Sequence, residues 1–189
     1  MEALIAGVDE VGRGCLAGPV VAAAVILPKG FSHPFLRDSK QLTPAQRKVV
    51  FEALVQAGAL IGIGMQGPEA IDCYNILRAT LLAMEEAVEM LPLRPKRILI
   101  DGVYALQSIP EAEAYARGDT LFPEIAAASI IAKVIRDKLM ERLHQEHPQY
   151  GWAKNKGYPT PAHRQAIKTY GPSPFHRRSF LRGLLEERL

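Results

Sequence analysis

The sequence predicts an α/β protein, a sheet covered by helices. Short apolar runs bounded by glycine, proline or acids recur at residues 4–9, 20–27, 59–65 and 96–101. Longer stretches with helical apolar spacing interrupt or follow them, over about 68–91 and 124–146. Helix-start signals stand where the periodicity changes. Strands and helices mixed in this way bury their apolar faces against one another as packed layers.

Taken in order, residues 4–9 (LIAGVD) form a short buried strand and residues 20–27 (VVAAAVIL) a second. The glycine-rich turn between them predicts a hairpin. Thr43 is an N-cap, Pro44 the first helical position and Gln46 the other half of a capping box. Gly58 stops that helix. Residues 59–65 (ALIGIGM) make a third strand. Ile71, Ile76, Leu77, Leu81, Met84 and Val88 share one face of a helix over about 68–91. Residues 96–101 (KRILID) form a fourth strand, ending on Asp101 as the first ends on Asp9. Residues 112–119 (AEAYARGD) hold a fifth. A helix with an apolar first half covers about 124–146. Thr160 and Pro161 open another, which stops near Gly171, and a last helix covers 179–188.

A chain of 189 residues suggests one domain and is long enough for a real core. Its net charge of +3 is unevenly spread. Residues 150–189 hold eight Lys/Arg against two Glu, and residues 1–149 hold fifteen against eighteen acids. The basic C-terminal end is therefore a candidate phosphate-binding face. Cys15 and Cys73 form no C-x-x-C pair, which argues against a zinc site or a disulfide framework. A reduced, cytoplasmic setting is expected. The N-terminus lacks a basic leader region, and the longest apolar run falls far short of the ~20 residues that span a bilayer. No membrane partner is expected, and the chain is read as a monomer.

Asp9, Glu10 and Asp101 fall at predicted strand ends, and Asp119 follows the fifth strand. Neighbouring strands lie ~4.8 Å apart, so these carboxylates would repel one another unless a cation joined them. Oxygen donors without a His/Cys cluster favour Mg²⁺ or Mn²⁺ over zinc. Two such ions ~3.5–4 Å apart stabilise the attacking and leaving oxygens of an in-line phosphoryl displacement. A two-metal phosphodiesterase site is the expectation. Any one of these acids alone would read as an ordinary turn residue. "GRGCLAG" (residues 12–18) is not a dinucleotide-binding turn, because its third glycine comes one residue late and Pro19 follows. Gly12 and Gly14 instead let backbone groups approach a ligand, with Arg13 reaching a phosphate or packing over the acids.

"GVDEVGRGCLAGPVVAAAV" resembles the N-terminal signature of the bacterial ribonuclease HII family. The resemblance continues through "DSKQLT", "YNILRAT", "ILIDG", "RGD", "AAASIIAKVIRD", "HPQYGWAKNKGYPT" and "HRRSF", in order along nearly the whole chain. It implies an RNase H-like fold: a mixed central sheet flanked by helices, with a C-terminal helical extension. It also implies a catalytic core over 1–145 and a basic helical segment, 146–189, packed upon it. The implied activity is metal-dependent hydrolysis of RNA in RNA/DNA hybrids and incision 5′ of single ribonucleotides in duplex DNA. The implied catalytic and metal-binding acids are Asp9, Glu10, Asp101 and Asp119, with Mn²⁺ or Mg²⁺ as cofactor. The implied ribose readers are Gly12, Arg13, Gly14 and Tyr158.

These roles suit the chemistry, because only the 2′-hydroxyl distinguishes a lone ribonucleotide from its DNA neighbours. Ser39, Lys40, Ser129 and Lys133 are further candidate substrate contacts. Ser129, Lys133 and Arg136 share a helix face at i, i+4 and i+7. Lys154, Lys156, Arg164, Lys168, Arg177 and Arg178 are candidates for phosphate contact, and Asp137 reads as a structural acid paired with a nearby base. Ala126 stands where the family usually has serine. The competing readings are the sister ribonuclease HIII group, a non-catalytic hybrid-binding module, and a metal-dependent nuclease or phosphatase of another fold.

Overall fold

The computed structural model describes residues 4–186, with side chains left undescribed at 37–40 and 185–186. Five strands form one mixed sheet in the order β3-β2-β1-β4-β5. They are β1 (Ile5–Val11), β2 (Val20–Ile26), β3 (Leu60–Gln66), β4 (Arg97–Asp101) and β5 (Ala112–Tyr115). β1 pairs antiparallel with β2 and parallel with β4. The predicted hairpin and all five predicted strands are present.

Side-chain alternation sends one set of strand residues to each face. Ala6, Val8, Ala22, Ala24, Ile98 and Ile100 meet α2 (Pro68–Glu89) on one side. Ala23 and Val25 meet α1 (Pro44–Gln56) and α3 (Pro123–Glu146) on the other. The Thr43–Gln46 capping box forms as its spacing predicts. At Gly7 a β-carbon would lie 2.1 Å from the Glu124 carbonyl carbon, so glycine lets the first turn of α3 ride directly on β1. That contact places the next turn of α3 beside Asp9.

Two expectations change. β1 runs on to Val11, so Asp9 and Glu10 lie inside the strand. Its parallel pairing with β4 stops at Val8↔Ile100, whereas its pairing with β2 continues to Val11↔Val21. The acids begin where one partner strand leaves. The helix expected over about 68–91 is broken at Asn75, which has φ 68 and ψ 165. Its Oδ1 accepts from Arg78 N at 3.1 Å and restarts the helix as a cap does. The apolar spacing is nearly unaffected by this break, which hides it from periodicity.

Beyond α3 come a short helix α4 (Trp152–Asn155), then α5 (Pro161–Tyr170) and α6 (Arg182–Glu186). α5 starts from a Thr160 cap and ends at Gly171, as expected. Tyr150, Trp152, Ile167 and Leu181 form a third apolar cluster with Leu16 and Met140, which joins this segment to α3 and to the loop after β1. Among the described residues no helix is long and apolar enough to cross a membrane.

Candidate active site

Asp9 and Glu10 are adjacent on a strand, so their side chains leave on opposite faces. Asp9 is 5% exposed and turns toward α3, where Ser129 hydrogen-bonds its carboxylate. Its Oδ1 also accepts from Glu10 N at 2.7 Å. Glu10 turns toward α2 and lines a cavity of about 290 Å³ with Thr80, Met84, Asp101 and Arg117. Arg13 Nη1 reaches Glu10 Oε1 at 3.3 Å. Asp101, the last residue of β4, accepts from Gly118 N at 2.7 Å. That bond ties the turn carrying Asp119 to the end of β4. Asp119 is buried and lines a second cavity of about 480 Å³, beside Phe31, His33 and Ala126. At Ala126 the cavity wall is a methyl group where a serine would present a hydroxyl.

The charges interact. Burial, followed by repulsion from Glu10 and Asp101, holds the Asp9 carboxyl well above the usual aspartate range, and the Ser129 hydroxyl partly offsets this. Burial also raises Glu10. Arg13 opposes that rise, while Asp101 adds to it. An anionic cluster of hard oxygens at this depth fits a divalent cation in donor type and in charge. Among the described residues no three His, Cys, Asp or Glu side chains are drawn into one metal-ligating group. The backbone brings the acids to one end of the sheet, with Glu10 and Asp119 entering from different sides.

The Gly12–Gly14 loop is held from below. Gly12 has φ 95, and a β-carbon there would meet the Arg136 guanidinium at 2.2 Å. Arg136 is fully buried and donates to the Ala17, Pro19 and Lys156 carbonyls. It therefore braces the loop and leaves the polar helix face expected for it. Arg177, expected at a phosphate face, is also fully buried. Its guanidinium donates to the carbonyls of Gly12 at 2.7 Å, Arg13 at 2.8 Å and Gly18 at 3.0 Å. Burial lowers its pKa to about 10. A planar fork with five donors can serve several carbonyls at once, which is why arginine occupies both positions.

Tyr158 is 38% exposed and lies next to this loop. Leu16 N donates to Gly157 O at 2.8 Å, joining the two segments. The Tyr158 hydroxyl interacts with Cys15, and Lys133 Nζ sits 5.8 Å from the ring centroid. Lys133 is paired with Asp137 at 2.7 Å, the structural role expected of that acid. Lys154, Arg164 and Arg178 are exposed, while Lys156 bonds Glu141. The side chains of Ser39 and Lys40 lie outside the described residues. Sequence reasoning missed the buried His163, His176 and Trp152 behind Tyr158. Each is a single polar or aromatic residue, on the short helices α4 and α5 or in the loop that follows, and no spacing flags it.

A mixed five-stranded sheet in this order, with acids gathered at the end of its central parallel pair, defines the class of RNase H-like proteins. The structure superposes on ribonuclease H2 from Pyrococcus horikoshii OT3 with a TM-score of 0.78 and 28% identity, covering 97% of each chain. It also superposes on Bst-RNase HIII solved in complex with Mn²⁺, with a TM-score of 0.71, covering 94% of this chain and 64% of that one. At 18% identity that likeness concerns the fold alone. The Ribonuclease HII family model matches residues 6–183, and the chain belongs to that family. It is 52% identical to Ribonuclease HII of Porphyromonas gingivalis over 95% of this chain and 90% of that protein. Ribonuclease HII of Chlamydia pneumoniae is 51% identical over 94% of this chain and 83% of that protein.

Proposed function

We propose that the chain hydrolyses the RNA strand of RNA/DNA hybrids and nicks duplex DNA on the 5′ side of single ribonucleotides, leaving 3′-hydroxyl and 5′-phosphate ends. As a member of the Ribonuclease HII family it is a metal-dependent endoribonuclease acting on RNA/DNA hybrids. The observation that carries the finer reading is the buried Asp9, repelled by the half-buried Glu10 and Asp101, beside a glycine loop whose carbonyls are pinned. In this reading Asp9, Glu10, Asp101 and Asp119 hold Mg²⁺ or Mn²⁺. When bound, the ions supply an activated water and neutralise charge on the scissile phosphate.

The remaining roles belong to the chain itself. Ser129 orients Asp9 and favours its charged form. The Gly12–Arg13–Gly14 backbone meets the ribose 2′-hydroxyl, and the Tyr158 ring supports the sugar. A deoxyribose would leave those backbone groups unpaired, which costs about 1–3 kcal/mol. Lys133, Ser39, Lys40 and the exposed bases among Lys154, Arg164, Lys168 and Arg178 contact phosphates, which makes binding salt-dependent. In this division residues 1–145 carry the acids and residues 146–189 present Tyr158 and the basic surface. The protein acts as a cytoplasmic monomer.

The test is a DNA duplex with one ribonucleotide. Wild-type protein should nick it with Mg²⁺ or Mn²⁺ and stop in excess chelator. Asp9→Asn should abolish nicking while duplex binding survives. Cleavage that persists in chelator, or an active Asp9→Asn protein, refutes the metal role of the acids.

A further inference from the structure

Behind Tyr158 lies a buried chain of polar groups whose obligate donors fix the tautomers of two imidazoles. His163, on α5, and His176 are 0% and 2% exposed. Trp152 Nε1 lies 3.0 Å from His163 Nε2. An indole N–H only donates, so His163 Nε2 is an acceptor. The two imidazoles face each other through their Nε2 atoms at 3.1 Å. Ser173 N–H can only donate, and it donates to His176 Nδ1, so in the neutral ring the proton between the rings belongs to His176 Nε2, and the single lone pair of His163 Nε2 is shared by two donors.

His176 Nδ1 is then bare, and it accepts from Ser173 N at 3.0 Å and from the Ser173 hydroxyl at 2.9 Å. At the other end His163 Nδ1 must carry its proton, and it donates to the Tyr158 carbonyl at 2.9 Å. That carbonyl also accepts from Thr160 N at 2.8 Å, and Tyr158 N donates to Asn155 O at 2.9 Å. The tyrosine backbone is thus held on both sides while its ring stays at the surface.

We propose that His163 is a positioning residue for the ribonucleotide-reading tyrosine, its tautomer set by Trp152 and His176 so that it always presents a donor to the Tyr158 carbonyl. The proposal rests on the reading of Tyr158 as a ribose contact. Both rings must be neutral for this arrangement. Burial holds His163 below the usual histidine range, and burial with the neighbouring imidazole holds His176 down to about 4. A cationic His163 would direct a third N–H at the indole and at the other ring. An ordinary packed histidine needs no such ordered chain. Here the chain ends on the carbonyl of Tyr158 itself, and His163 also bonds the Gly157 backbone beside it.

A double-mutant cycle tests this on a duplex with one ribonucleotide. His163→Leu should lower kcat/KM about 10- to 100-fold, the size of effect expected when a contact residue is misplaced by about an ångström. In a Tyr158→Ala background the same substitution should change kcat/KM less than about twofold, because the group it positions is gone. His163→Asn, whose amide keeps a donor near the Nδ1 position, should recover most of the activity. Where His163→Leu does not fold, His163→Gln carries the same cycle, since its amide takes the Nε2 position and leaves the Tyr158 carbonyl without its side-chain donor.

Equal losses from His163→Leu in both backgrounds would mean that the histidine is merely structural, and would overturn the proposal. Failure of His163→Asn to recover activity would do the same. A Tyr158→Ala protein as active as wild type would instead overturn the ribose-contact reading itself, and the positioning role with it.

Discussion

Ser129 illustrates how one hydroxyl sets the working range of a site. Asp9 is held above its usual range chiefly by burial, and the Ser129 hydrogen bond is the largest effect acting the other way. Removing a bond to the charged form raises a carboxyl pKa further. Ser129→Ala should therefore move the acid limb of the cleavage profile to higher pH, with little change at alkaline pH. A pH–rate profile with an unmoved acid limb would show that the hydroxyl does not serve Asp9. The stripe Ser129, Lys133 and Arg136 was visible as a spacing, but its three members have separate duties. The first serves an acid, the second pairs with Asp137, and the third is buried beneath a loop. Helical phase places side chains on a face without saying what the face meets.

The elements that present the acids depend on close backbone approach. Gly7 leaves no space for a methyl group between β1 and the first turn of α3. Gly7→Ala would force these apart, and overpacking of this kind costs about 1–3 kcal/mol. A lower urea midpoint is expected, with a matching loss of cleavage because Ser129 retreats from Asp9. An unchanged midpoint would show that the contact is slack. The break in α2 at Asn75 is a second local decision. Its short first segment carries Asp72, whose carboxylate accepts from Arg178 N at 2.8 Å and Ser179 N at 2.9 Å. The asparagine lets the helix change direction toward the C-terminal segment.

For the protein as a whole, the buried histidines link stability to pH. The His176 pKa is near 4 when folded and near 6.5 when unfolded. Above 6.5 neither state binds the proton. Below it the unfolded chain binds first, so this contribution falls by about 1.4 kcal/mol per pH unit until about pH 4. Asp9 and Glu10 act in the opposite sense, because their folded pKa values are raised. The separable signature is spectroscopic. The ring resonances of His176 should stay constant from pH 8 to about 5, and a titration midpoint near 6.5 would refute the buried neutral pair.

Much was legible in the chain because it is local. The five strands, the Thr43–Gln46 capping box and the Thr160 start each depend on neighbours a few positions away. An acid closing an apolar run also marked Asp9, Glu10 and Asp101, although β1 runs on past the first two to Val11 and only Asp101 ends its strand. Folding alone could settle which groups meet across long separations. Arg177 and the Gly12 carbonyl are 165 positions apart, and nothing in a basic tail distinguishes a buried brace from a phosphate contact. The histidine chain behind Tyr158 is equally silent in one dimension. Its meaning lies in donors and acceptors brought together by packing, and a buried polar group takes its role from the partner that satisfies it.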